Sequence, residues 1–284
     1  ILFNASGSFA QKLSMAEAKH AGDSIIPEAI LPFWQSLTLK EKVAQTLMVY
    51  MPSASYIKKH QFGGVLIMKP HLKDTLHLKE ELSLANESLK IPLLTAIDQE
   101  GGKVNRLQAI SPEWKNLPSA KEMRTMTDDS VYNLAKQIGN ALHHYGINLN
   151  LAPVLDPPKD SKGKPSFIEV SNRSFGEFET AVPKIRSFVK GMKESKVLST
   201  SKHFPGYDSW TNSDHQIAFS TSSKEIILRN VELFKEFADE IPVVMLSSVR
   251  FVRLSNTPAV FNPKITAMAR EISPYTVLLT DDLW

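Results

Sequence analysis

The sequence predicts a (β/α)8 barrel of the α/β class, and three observations predict it. Short runs rich in β-branched and aliphatic residues alternate with segments of helical spacing along most of the 284 residues. Seven such pairs can be counted, which favours a barrel over a doubly wound sheet. Ionisable or hydroxyl side chains stand at the C-terminal ends of several runs, the end at which barrel enzymes keep their chemistry.

Each element has its own signal. The first run, 45–50, leads into a short helical stretch at 53–60, and the second, 63–68, into the polar amphipathic stretch 72–89. The run 92–97 is followed by a loop and a well-patterned helix at 128–144. The fourth run, 148–155, opens into a Pro/Lys/Gly-rich loop at 157–165 and a helix around 179–195. The fifth, 197–201, gives way to a long loop and a helix at 224–238; the sixth and seventh, 242–249 and 276–279, flank a helix near 263–271. Continuous apolar runs bounded by turns mark strands covered on both faces, as the parallel strands of βαβ units are. Asp98, Asp156, Lys202 with His203, Ser247 with Ser248, and Asp281 each close a different run. The sequence stops at Trp284, just past the seventh run. An eighth unit is therefore expected outside it, because an open barrel leaves two strand edges unpaired. Residues 1–24, rich in Ala, Ser and Lys, read as a loosely tied lead-in, and 25–284 as a single barrel domain incomplete at its C-terminal end.

Composition removes several functions. With 42% hydrophobic and 22% charged residues, the balance is that of an ordinary globular core. A formal net charge of +3 argues for no nucleic-acid or anionic-membrane partner. The absence of cysteine excludes disulfides, thiolate metal sites and cysteine nucleophiles, and suits either redox compartment. No apolar run reaches the ~18 residues of a membrane helix. Ile1 replaces an initiator Met without a basic-then-apolar leader, so removal of an upstream segment is expected.

Three segments carry chemistry. Asp98-Gln99-Glu100-Gly101-Gly102 follows the third run, and its glycines let the backbone turn sharply beside a ligand. Asp98 accepts and Arg106 donates, so the two suit a grip on neighbouring hydroxyls; a structural turn with a surface ion pair reads equally well. Lys202-His203-Phe204-Pro205-Gly206 ends the fifth run with two donors aimed into the barrel mouth. The loop beyond it reaches His215, whose type titrates near ~6.5 and suits a proton donor swung over a substrate. Packing or solvent exposure is the ordinary fate of such a histidine. Asp281, the first residue past the seventh run, should face the barrel axis as a nucleophile, general base or metal ligand. Asp282 reads better as a helix N-cap.

Taken together, these segments resemble the bacterial β-N-acetylglucosaminidases of glycoside hydrolase family 3. The likeness rests on 97–102, 146–156, Asn172-Arg173-Ser174-Phe175-Gly176, 202–206 and Thr280-Asp281-Asp282-Leu283, in the family's order, and spans about Leu37 to Trp284. It implies a (β/α)8 barrel that removes terminal, non-reducing N-acetylglucosamine with retention, often from peptidoglycan fragments of the cell wall. It implies Asp281 as the nucleophile of a covalent glycosyl-enzyme and His215 as the acid/base. Asp98, Arg106, Arg173, Lys202 and His203 would bind the sugar. A small glycan is the implied partner, with no metal and no cofactor. Relatives occur in the cytoplasm and also exported or lipid-anchored.

The chain departs from the family pattern in the fifth loop. Tyr207 stands in place of a histidine, the next glycine is lost, and Ser213 occupies the place of an Asp two residues before the acid/base. Asp214 or Asp208 is then expected to orient His215. Ser248 stands where relatives often have a histidine. Two alternatives stay open: a sugar-binding barrel with impaired chemistry, and a related β-glycosidase or phosphorylase that passes the sugar to phosphate, which a neutral imidazole repels less than a carboxylate. A metal-dependent hydrolase built on Asp98, Asp156, His203 and Asp281 lacks a compact ligand spacing.

Overall fold

A computed structural model of the chain describes residues 28–272 and 275–283, so the lead-in expected at 1–24 lies outside the described residues. Among the described residues nine strands occur: β1 (Met48–Tyr50), β2 (Gly64–Ile67), β3 (Leu94–Ile97), β4 (Leu149–Asn150), β5 (Leu198–Phe204), β6 (Phe219–Ser220), β7 (Val243–Leu246), β8 (Arg250–Phe251) and β9 (Val277–Thr280). Seven form one parallel sheet in the order β1-β2-β3-β4-β5-β7-β9, while β6 and β8 pair as a separate parallel ribbon.

The strand side chains divide by parity, as alternation across a pleat requires. Ala96, Leu149, Leu151, Val243 and Met245 make one apolar cluster, against which Met48, Leu66, Leu94, Leu198, Val277 and Leu279 pack. Their strand neighbours Val65, Ile67, Ile97, Val244 and Leu246 belong to a second, larger cluster shared with the helices. The first cluster is therefore the concave interior and the second the strand–helix layer. Met48 of β1 and Val277 of β9, on the two edge strands, touch the same inner cluster, so the sheet curls into a half-barrel. Followed toward the C-terminal ends of the strands, the inner parity falls on Tyr50 and Lys202 within β1 and β5, and on Asp98 and Asp281 just past β3 and β9.

The helices form where caps and apolar spacing agree. Asp128–His144 begins at Thr127, whose hydroxyl accepts from the Ser130 N–H; Asp128 and Asp129 sit in its first turn and His143 and His144 in its last, matching the helix dipole. Its buried face is Val131, Ala135, Ile138 and Leu142. This helix packs on Phe178–Glu194, and a Cβ at Gly191 would stand 2.6 Å from the Tyr132 carbonyl oxygen. Only glycine permits that approach.

Two elements differ from their sequence patterns. The run expected at 148–155 pairs as a strand only over Leu149–Asn150 and returns as a bridge from Val154 to Lys202. Pro153 has no N–H to continue the ladder. In its place the Asn148 side-chain carbonyl accepts from the Thr95 N–H, and the Asn150 carbonyl from the Gln99 N–H, joining this segment to β3 and its end. Conversely β5 runs to Phe204, through Lys202 and His203, which are buried despite being polar. Among the described residues no helix is long and apolar enough to cross a membrane.

Candidate active site

The turn after β3 places the first group of side chains. Gly101 has φ +95°, and a Cβ there would overlap the Pro118 carbonyl oxygen, so only glycine closes this turn. The Gln99 side-chain carbonyl accepts from the N–H groups of Arg106 (2.8 Å) and Leu107 (3.0 Å), which holds the Arg106 backbone beside the strand end. Asp98 does not pair with Arg106. Its Oδ1 accepts from Lys202 Nζ at 2.8 Å, across the sheet from the end of β5.

Lys202 is the centre of a four-member charge cluster. It is only 2% exposed, and its ammonium also lies 2.7 Å from Glu100 Oε1. Glu100 in turn accepts a bidentate pair from Arg173, Nε to Oε2 and Nη2 to Oε1, both at 2.8 Å. Burial opposes the Glu100 charge, yet Arg173 and Lys202 together hold its carboxyl far below the usual carboxylate range. Burial likewise works against the Lys202 ammonium, but Asp98 and Glu100 push it up on balance. The Arg173 guanidinium is raised in the same way, with Glu100 outweighing burial. Glu100, Arg173 and Lys202 are thus each held toward the charged form, and the two donors expected to point freely into the mouth are one already bonded ammonium and one imidazole.

That imidazole is held by Asp156. Asp156 Oδ1 accepts from the backbone N–H of His203 (2.9 Å) and of Tyr207 (2.6 Å), and its Oδ2 lies 2.6 Å from His203 Nδ1. One buried carboxylate thereby sets the ring of His203 and the path of the loop that follows, leaving Nε2 turned away from it. Glu100 was not singled out as a site residue by sequence reasoning, and Asp156 was named only as a strand-end carboxylate and as a ligand in the metal-dependent alternative. Their signal was present only as acidic residues at strand ends flanked by a Gly-Gly turn and a Pro-Pro loop.

At the end of β9, the Asp281 N–H donates to the Leu246 carbonyl at 2.9 Å, continuing the ladder with β7. Its Oδ2 accepts from the Ser248 hydroxyl at 3.0 Å, and its Oδ1 from the Asp282 N–H. The carboxylate is half-buried and, among the described residues, has no cationic partner. The Tyr50 phenol is pushed up first by the charge of Asp282, then by burial and by Asp98. The ends of β1, β3 and β9 therefore share one electrostatic neighbourhood.

The segment after β5 forms a flap. The Tyr207 hydroxyl donates to the Thr211 carbonyl and accepts from the Ser213 N–H at 2.9 Å, closing a tight loop. His203 presents an edge-on ring to Tyr207 at 5.9 Å between centroids. His215 lies beyond this clasp on an exposed stretch, and among the described residues its ring bonds to neither Asp208 nor Asp214. Asp208 instead turns inward and accepts from the Ser222 hydroxyl, while Asp214 is exposed. Among the described residues no three His, Asp or Glu side chains are grouped to hold a metal ion; the Lys202 ammonium occupies the space between Asp98 and Glu100.

The family model described as the glycosyl hydrolase family 3 N terminal domain matches residues 38–271. The chain belongs to glycosyl hydrolase family 3. The matched span holds Asp98, Glu100, Asp156, Arg173, Lys202, His203 and His215, and Asp281 lies just beyond it. Among curated family relatives, a beta-hexosaminidase of Pseudomonas aeruginosa is 28% identical over 238 residues, covering 80% of this chain and 68% of its own length. Another, from Actinobacillus pleuropneumoniae, is 28% identical over 208 residues, covering 69% of this chain. The chain spans 58% of the length of that relative. Among solved structures, a family 3 beta-N-acetylglucosaminidase from a Paenibacillus strain superposes with a TM-score of 0.75 at 28% identity, over 87% of this chain and 49% of that one. The fold of M. tuberculosis LpqI matches with a TM-score of 0.77 over 92% of this chain and 78% of that one, at 24% identity.

Proposed function

We propose that this family 3 chain serves retaining hydrolysis of terminal β-linked N-acetylglucosamine, with peptidoglycan fragments as the natural substrate class. The reading is supported by relatives named beta-hexosaminidases and, above all, by one observation: Asp281 ends β9 on the inner parity with only a hydroxyl and an N–H on its oxygens. In the first step an Asp281 oxygen attacks the anomeric carbon. The bond from that carbon to the leaving oxygen breaks as His215 delivers a proton to it, giving a glycosyl ester on Asp281. In the second step His215 takes a proton from water, the water oxygen attacks the same carbon, and the ester bond breaks to restore the carboxylate. The Asp98–Lys202–Glu100–Arg173 cluster, held by its mutual hydrogen bonds, orients the sugar hydroxyls. His203, set by Asp156, adds a further contact.

The test is turnover of para-nitrophenyl N-acetyl-β-glucosaminide between about pH 5 and 8. Wild-type turnover with a loss of at least about a thousandfold in Asp281→Asn is expected. His215→Ala should lose less with this good leaving group than with a poor one. Equal turnover by wild type and Asp281→Asn would remove Asp281 from the mechanism. The exposed His215 ring without a carboxylate partner favours one other reading, a sugar-binding barrel with impaired chemistry. Saturable N-acetylglucosamine binding without any hydrolysis would select it.

A further inference from the structure

A cavity of about 360 Å³ opens between the loop at 160–162 and the segment 208–221, which follows β5 and includes β6. That volume lies within the roughly 300–1,000 Å³ of small-molecule sites. The charge cluster at the strand ends contributes nothing to its lining.

Its wall combines two unlike surfaces. Trp210 is 72% exposed and Phe219 47% exposed, and both line the cavity. Large aromatic faces gathered at one concavity and left open to water mark a binding surface. The Arg250 guanidinium lies over the Phe219 ring, 5.9 Å from its centroid, and steadies it. Asp208 also lines the cavity but is 2% exposed. Its Oδ2 accepts from Ser222, whereas its buried Oδ1 has no hydrogen-bond partner. Burial pushes the Asp208 carboxyl up against the pull of the Ser222 and Ser220 hydroxyls, and a carboxyl oxygen can accept from a sugar hydroxyl. The Gln216 amide adds a donor–acceptor group, and Asp160 with Lys162 cancel in charge.

We propose that this cavity is a second glycan site that takes one pyranose ring, with its C–H face on Trp210 and Phe219 and its hydroxyl edge toward Asp208 and Gln216. A sugar ring needs both surfaces at once. An acyl chain would leave the Asp208 oxygen unsatisfied, and an anion would gain nothing from a wall whose charges cancel. Because Trp210 and Gln216 bracket the stretch that carries His215, the flap itself is one wall, so an occupied cavity restrains the flap. The inference deepens the hydrolase reading and rests on it for the choice of an N-acetylglucosamine oligosaccharide as probe.

The test is a titration of the Asp281→Asn chain, labelled at the tryptophan indole nitrogens, with chitotriose to about 10 mM, a range suited to weak carbohydrate affinity. The Trp210 indole N–H resonance, assigned by its loss in Trp210→Phe, is expected to shift saturably. It should shift equally when Asp98→Asn weakens the strand-end cluster. Phe219→Ser should weaken the titration at least about tenfold. No shift, a shift only with Asp98 intact, or an unchanged affinity in Phe219→Ser would overturn the proposal. The readout needs no turnover. A saturable Trp210 shift together with no turnover by the wild-type chain sinks the hydrolase reading alone, and turnover by the wild-type chain with a silent Trp210 sinks this site alone.

Discussion

Lys202→Met removes the buried ammonium and leaves two carboxylates facing each other across its former place. The ammonium makes charge-assisted contacts of 2.8 Å to Asp98 and 2.7 Å to Glu100 while only 2% exposed. Each such bond contributes about 1.5–3 kcal/mol, and removing one partner of a buried ionic group costs about 3–5 kcal/mol. Two features hold the loss to the lower end: Glu100 keeps its bidentate Arg173, and Asp98, 23% exposed, can be rehydrated. The expected destabilisation is about 3 kcal/mol, or a fall in Tm of about 6–12 °C for a chain of this size. The assay is thermal unfolding followed by circular dichroism at pH 7 and again near pH 4. The sign follows from Glu100, whose carboxyl is held below its ordinary value near 4.5 in the native state. Its pairing stabilises the fold fully above that ordinary value and is lost as pH falls toward the depressed native one. In the variant, protonation instead relieves the uncompensated carboxylates. The gap between wild type and Lys202→Met should therefore narrow toward pH 4. A gap under about 2 °C at pH 7, or one that widens on acidification, would refute the reasoning.

Other outcomes follow from the same geometry. Asp156→Asn keeps an acceptor for the two N–H groups but cannot accept from His203 Nδ1 with its amide nitrogen. Aryl glycoside kcat/KM should fall about 10- to 100-fold with the far-ultraviolet circular dichroism unchanged; unaltered kinetics would show that His203 needs no orienting partner. Tyr207→Phe strips the hydroxyl from the flap clasp, and stability should drop by about 1–2 kcal/mol, with limited proteolysis accelerated within 208–217. Identical cleavage rates would count against the clasp. Asp208→Asn tests the buried carboxyl: because burial raises it above its ordinary value of 3.8, the native state retains its proton longer than the unfolded chain. Wild-type stability should then decline as pH rises from about 4, and the variant should lose that component in urea melts across the same range.

How much of this was readable in advance depended on the range of the forces involved. The helix expected at 128–144 is observed as Asp128–His144, because its cap, its dipole-matched ends and its apolar stripe are all local. The strand β5 was read three residues too short, ending at Ser201 and not Phe204, since Lys202 and His203 carry no apolar signal although the fold buries them. The opposite error at 148–155 came from Pro153, whose missing N–H breaks a ladder that hydrophobicity alone would continue. Asp281 and Asp98 were legible as strand-end carboxylates. Asp208, weighed as a partner for His215, turns inward to Ser222, a choice made by a contact across the loop.

The sequence by itself determined the order of parallel units and the parity that brings Tyr50, Asp98, Lys202 and Asp281 to one end of a curled sheet. Both follow from nearest-neighbour chemistry, the alternation of side chains along a strand and the capping of single helices. Only the tertiary structure decided which charges meet. The Glu100–Arg173 pair joins residues 73 positions apart and the Asp98–Lys202 pair residues 104 apart. Strand stagger and loop closure place those atoms, and at hydrogen-bond range a displacement of one ångström separates a paired buried charge from an unpaired one.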